Sequence, residues 1–197
     1  MKKKNMISIY CVMVIGIFSL IGCDSSMLTA PGAENEIQNV AAFQRGIPTD
    51  QLNMVPLRPD ITEQLRVLGK KAFSLKHIQA HNGGTVGGEK TFGNKVDIPA
   101  FALEDDTWIS VEVECADSNE QCGATVEFLP SMTFLANVTV TLSFDALDFS
   151  GDPSLLKVVW YDDSTGLWVE VDNAIIDYDD KTVSVQVDHF TRYAWVL

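Results

Sequence analysis

The chain has 197 residues, 46% of them hydrophobic and 21% charged, and its 27 acidic side chains against 14 basic ones give a formal charge of -13. Such a composition is too apolar for a wholly disordered chain, and the length suits one ordinary domain with a tail. Basic side chains are too few and too scattered to neutralise a run of phosphates, so nucleic acid is excluded as a partner.

The amino terminus opens with Lys2, Lys3 and Lys4 and continues as the uncharged run Met6 to Gly22, the layout of an export signal. A run of this length lies at the lower edge of what spans a bilayer, and Gly16 and Gly22 weaken it as a helix, which argues against a retained transmembrane anchor. It ends in Leu20-Ile21-Gly22-Cys23 and turns polar at Asp24-Ser25-Ser26. This stretch resembles the lipobox of bacterial lipoproteins. The resemblance implies a signal peptide at 1–22, cleavage before Cys23, lipid on the Cys23 thiol, and a mature protein held at a membrane of the cell envelope, outside the cytoplasm. Acyl chains on both the thiol and the new amino terminus exceed the two hydrophobic signals that stable anchoring needs. Asp24 resembles a signal for inner-membrane retention whose code varies between lineages, so the choice between inner and outer membrane stays open.

Residues 23–58 read as a tether, because Pro31, Gly32, Gly46, Pro48 and Pro56 interrupt each apolar group before it builds a face. Residues 59–72 read as one short helix. Asp60 stands as its N-cap with Glu63 three positions on, Ile61, Leu65 and Leu68 share a face, and Gly69 closes it.

From residue 73 to 197 the period changes to two. Thr107 to Cys115 alternates apolar with polar, as does Val138-Val140-Leu142-Phe144 with threonine and serine between. The stretches around Trp160 and Trp168 flank Asp162-Asp163-Ser164-Thr165-Gly166, a turn that folds them into a hairpin. Val183, Val185 and Val187 form a last inward series, which then changes parity at Phe190, Ala194 and Val196; a one-residue bulge at Asp188-His189 restores the register. Short strands with frequent turns imply an all-β domain, an antiparallel sandwich or barrel. Its surface is strongly acidic, for residues 101–197 hold nineteen acidic side chains against three basic ones, Lys157, Lys181 and Arg192. Such a surface repels polyanions and attracts cations or basic partners.

Several of these pieces together resemble the ZU-five type domain: Gly83-Gly84-Thr85-Val86, Val96 to Leu103 followed by an acidic turn, Trp160 to Trp168, and the ending His189 to Ala194. The resemblance covers most of the exported chain and implies a β-sandwich used as an interaction or spacing module. Some members of that wider group cleave themselves at a His-Phe-Ser step. The corresponding step here is His189-Phe190-Thr191, so the resemblance offers an autoproteolytic module cutting at Phe190-Thr191, with His189 activating the Thr191 hydroxyl. The plainer expectation is that this ending is simply the last strand.

Cys115 and Cys122 stand at the two ends of a polar loop, and in an exported protein they are expected to form a disulfide. Asp177, Asp179 and Asp180 offer carboxylates on one turn, an oxygen cluster of the kind calcium accepts, although without the spacing of a calcium loop. The four tryptophans fall on predicted strands, as core or cross-strand residues or, alternatively, as a sugar-binding face. No zinc spacing, phosphate loop or serine elbow is present, so neither cofactor nor enzymatic activity is expected. The overall expectation is a lipid-anchored, non-catalytic envelope protein, with an envelope protein or a glycan as the partner class, and calcium- or carbohydrate-binding as the alternatives.

Overall fold

The computed structural model describes residues 46–115 and 122–197. The expected signal peptide at 1–22, the lipidation site Cys23 and residues 24–45 of the expected tether lie outside them.

Among the described residues there are eleven strands and one α-helix. The helix, α1, spans Pro59–Val67. The strands are β1 (Lys71–Ile78), β2 (Gly84–Gly87), β3 (Lys95–Ile98), β4 (Thr107–Cys115), β5 (Ala124–Leu129), β6 (Thr133–Ser143), β7 (Lys157–Asp162), β8 (Leu167–Glu170), β9 (Ile175–Asp177), β10 (Thr182–His189) and β11 (Arg192–Val196). They form two antiparallel sheets, a six-stranded one in the order β1-β4-β5-β11-β7-β8 and a five-stranded one in the order β2-β3-β6-β10-β9. The class is therefore all-β. No helix of the described residues is long and apolar enough to cross a membrane.

The alternation read from the sequence is what builds the core. On β4, Ile109, Val111 and Val113 are buried while Glu112 and Glu114, on the opposite parity, remain partly exposed. Val138, Val140 and Leu142 of β6 and Val183 and Val185 of β10 are buried in the same hydrophobic cluster as these residues, so the two sheets share one core. The hairpin around Asp162 forms as expected, with Tyr161 opposite Trp168, and Asp162 holds its turn by accepting from the Ser164 amide at 2.9 Å. The register of β10 against β6 shifts between Val187 and His189, which is the expected irregularity.

Gly83 begins the turn into β2 at φ +65, and a Cβ there would lie 2.2 Å from the Ile98 carbonyl oxygen; only glycine fits that approach.

The helix differs from expectation at both ends. Arg58, not Asp60, is the N-cap, Pro59 takes the first position, and the Asp60 carboxylate instead receives the Arg58 Nε at 3.1 Å. Ile61 and Leu65 are buried as expected, but the helix stops at Val67 and Leu68 is 55% exposed. The chain reverses there through two left-handed residues, Gly69 and Lys70, and β1 begins at Lys71, two residues before the expected boundary.

The larger correction concerns the end of the expected tether. Residues 46–58 lie against the six-stranded sheet and the loop after β6. Ile47 and Trp168 exchange backbone hydrogen bonds at 2.7 and 2.8 Å. Leu57 donates to the Cys122 carbonyl at 2.8 Å, while Asp148, in the loop after β6, donates to the Pro56 carbonyl at 2.8 Å. Val55 and Leu57 are 2% and 5% exposed. Glycine and proline punctuation excluded helix and regular strand here, but single apolar residues between the breakers still find partners, which local pattern does not reveal. Leu52 and Met54 cover a second small cluster on the six-stranded sheet formed by Val159, Trp168, Ala194 and Val196.

Candidate functional site

The His189-Phe190-Thr191 step lies where β10 ends and β11 begins. Phe190 is buried, with its ring centroid 4.6 Å from that of Phe134 and 5.7 Å from that of Phe128, and its amide donates to the Met132 carbonyl at 3.0 Å. Burial of this ring fixes the two residues beside it on opposite courses. The His189 Nδ1 is 2.7 Å from Asp188 Oδ1, and its ring stands edge-on to Trp160 at 5.4 Å. The Thr191 hydroxyl is buried and donates to the Tyr161 carbonyl. Both polar groups of the step therefore have partners other than each other. A hydroxyl nucleophile requires its base within hydrogen-bond reach. Among the described residues the non-glycine ones with left-handed φ are Lys70, Phe92, Phe101, Asn173 and Lys181, and none falls at this step.

Trp160 and His189 line two neighbouring cavities at once. One, of about 470 Å³, extends between β7, β8 and β10 and is also lined by Tyr193, Glu170, Asp172 and Asp188. The other, of about 440 Å³, adjoins the Asp162 turn and Thr191. The Asp188 carboxyl is held below the usual carboxylate range chiefly by its hydrogen bond from His189. The buried Tyr193 phenol is pushed well above its ordinary value, first by burial and then by the Asp188 charge, so it stays a neutral hydroxyl.

The acidic turn at Asp177 is organised by its own backbone. Asp177 Oδ1 accepts from the amides of Asp179 and Asp180, each at 3.0 Å, which is the side-chain turn that aspartate makes without any ion. Asp179 and Asp180 line a cavity of about 620 Å³ together with Arg58 and Lys181. Lys181 Nζ is 2.5 Å from Asp145 Oδ1, so the protein supplies cations there itself.

The group of three carboxylates that does come together among the described residues is a different one: Glu112, Glu114 and Glu127, with ligand oxygens within 4.8 Å of one another. Glu112 and Glu127 are directly opposite across β4 and β5, an arrangement that costs stability between like charges. Two basic residues offset it. Lys71 Nζ bonds Glu112 at 2.5 Å and also Glu114, and Arg192 Nη2 reaches Glu127 at 3.0 Å. The Lys71 ammonium is pushed up accordingly, chiefly by these two carboxylates, Glu112 first. Arg192 also lies over the Tyr161 ring, 5.8 Å from its centroid. The alternation Glu112-Glu114 was legible in the sequence, but Glu127 and Arg192 join it only through strand pairing.

Cys115 and Cys122 are joined in a disulfide, with Cα atoms 4.8 Å apart. All four tryptophans lie on strands: Trp168 and Trp195 are buried, whereas Trp108 is 60% exposed. Trp168 Nε1 donates to Thr49 Oγ1 at 3.0 Å, a further tie to the segment before the helix.

Comparison of the chain with known proteins finds no matching family model and no matching curated protein.

Proposed function

We propose that this chain is a non-catalytic, lipid-anchored protein of the bacterial cell envelope, held by acyl chains on Cys23, whose acidic, ZU-five-like β-sandwich serves as an interaction or spacing module. The anchor rests on the lipobox-like Leu20-Ile21-Gly22-Cys23. The observation that carries the reading is the Cys115–Cys122 disulfide, because such bonds form and persist in compartments outside the reducing cytosol, where the export-type amino terminus would deliver the chain. The absence of catalysis is read from the His189-Phe190-Thr191 step, whose imidazole and hydroxyl are each engaged elsewhere.

The test is metabolic labelling with palmitate of the full chain and of its Cys23→Ala variant in a bacterial host. Label in the parent and none in the variant is expected. A parent chain without label, or a variant that retains it, overturns the anchor.

A further inference from the structure

The cavity of about 470 Å³ between β7, β8 and β10 falls within the usual size of small-molecule sites, roughly 300–1,000 Å³. Its chemistry is one-sided. Two aromatic residues, Trp160 and Tyr193, line it together with the carboxylates of Glu170, Asp172 and Asp188, while neither lysine nor arginine does. Anions are therefore disfavoured. Two of the carboxylates already have protein partners, Glu170 with Lys157 at 3.2 Å and Asp188 with His189 at 2.7 Å. Asp172, exposed in the loop after β8, makes no ion pair or hydrogen bond within the described residues, and its charge is available to a ligand.

Tyr193 supplies the cleft with a neutral polar group. It is only 2% exposed, and its hydroxyl makes no hydrogen bond within the described residues but is not among their fully buried unpaired atoms, so it stays open to a ligand or to water. The group lines this cavity, where a ligand can accept or donate to it. Aromatic faces attract cations through their quadrupole, and the net negative field of residues 101–197 concentrates cations at the surface.

We propose that this cleft binds an organic ammonium group, a primary amine or quaternary ammonium carried on a small molecule or a side chain, which lies against Trp160 with Asp172 as counter-charge and the Tyr193 hydroxyl as polar contact. This rests on the reading of the domain as an interaction module and names the chemistry it would recognise.

The test uses the full ¹⁵N-labelled chain in non-ionic detergent. Its four tryptophans give four indole N–H signals, which are followed during titration with choline and with 1,5-diaminopentane at matched ionic strength. A saturable millimolar shift of the Trp160 signal is expected, with the exposed Trp108 unmoved. Asp172→Asn, at an exposed position that leaves the core intact, is expected to weaken binding roughly two- to fivefold. Tyr193→Phe keeps the ring and is expected to weaken it roughly threefold or more. No shift at Trp160, unchanged affinity in both variants, or an equal response to 3,3-dimethyl-1-butanol, the uncharged isostere of choline, overturns the proposal. A neutral disaccharide that binds where the amines do not also overturns it. None of these outcomes touches the palmitate result, so the anchor and the cleft fail separately.

Discussion

The Val55 amide donates to the Trp195 carbonyl at 2.8 Å, and the Val55 carbonyl accepts from the Ala124 amide at 3.2 Å. One residue from the segment before the helix thus bridges the end of β11 and the start of β5, where the two strands no longer pair with each other. Val55 is 2% exposed, so Val55→Ala removes buried methyl groups from a site that cannot readily collapse. The expected cost is about 2 kcal/mol, read as a lower urea midpoint with unchanged slope. A cost near zero would show that residues 46–58 are not part of the folded unit.

Asn94 is a buried side chain with both of its ends in use. Its Oδ1 accepts from the Ser143 amide at 2.9 Å and its Nδ2 donates to the Thr91 carbonyl at 2.7 Å, tying the turn before β3 to the end of β6. Asn94→Ala leaves the Ser143 amide without its acceptor, while the Thr91 carbonyl keeps only the Asn94 amide at 3.0 Å, and is expected to cost about 1–3 kcal/mol. Hydrogen exchange offers a local check, since the Ser143 amide should lose protection well before its neighbours on β6.

Acid stability should depend on Asp145. Its carboxyl is held below the ordinary value of 3.8, chiefly by the hydrogen bond from Lys181. A lowered carboxylate contributes stability that is complete above its unfolded value and disappears as the pH falls through the folded value beneath it. The pair is about half exposed, so solvent screening limits the contribution to roughly 0.2–1 kcal/mol. Lys181→Met should therefore lower stability at about pH 6 and converge with the parent at about pH 2, in paired urea melts. A difference that persists at the acid end would assign the loss to packing instead.

Thr191→Val keeps the shape of a buried side chain but deprives the Tyr161 carbonyl of its donor. A loss of about 1–2 kcal/mol is expected. Intact mass of the parent, followed over days, should show Thr191 to Leu197 retained. A fragment ending at Phe190 in the parent and missing in the variant would restore the nucleophilic role to Thr191.

By itself the sequence determined the elements whose cause is local. The period-two runs on β4, β6 and β10 specify strands and their inward faces, and the Asp162 turn specifies the β7–β8 hairpin. The parity change after Val187 locates the bulge, since a strand cannot change its buried face without an extra residue. Legible too was the Ile61-Leu65 stripe of α1, although not its true boundaries. Tertiary structure decided the rest. It set β11 between β5 and β7, although β5 and β11 are far apart in sequence, and so brought Arg192 to Glu127, while the pairing of β1 with β4 brought Lys71 to Glu112. It drew residues 46–58 onto the six-stranded sheet and the loop after β6, and it turned the Asp177 carboxylate to its own backbone. The physical reason is common to these cases: side-chain alternation encodes which face is buried, but not which strand lies alongside. Pairing partners, and with them every charge cluster and cleft, follow from how all the strands satisfy their backbone hydrogen bonds together.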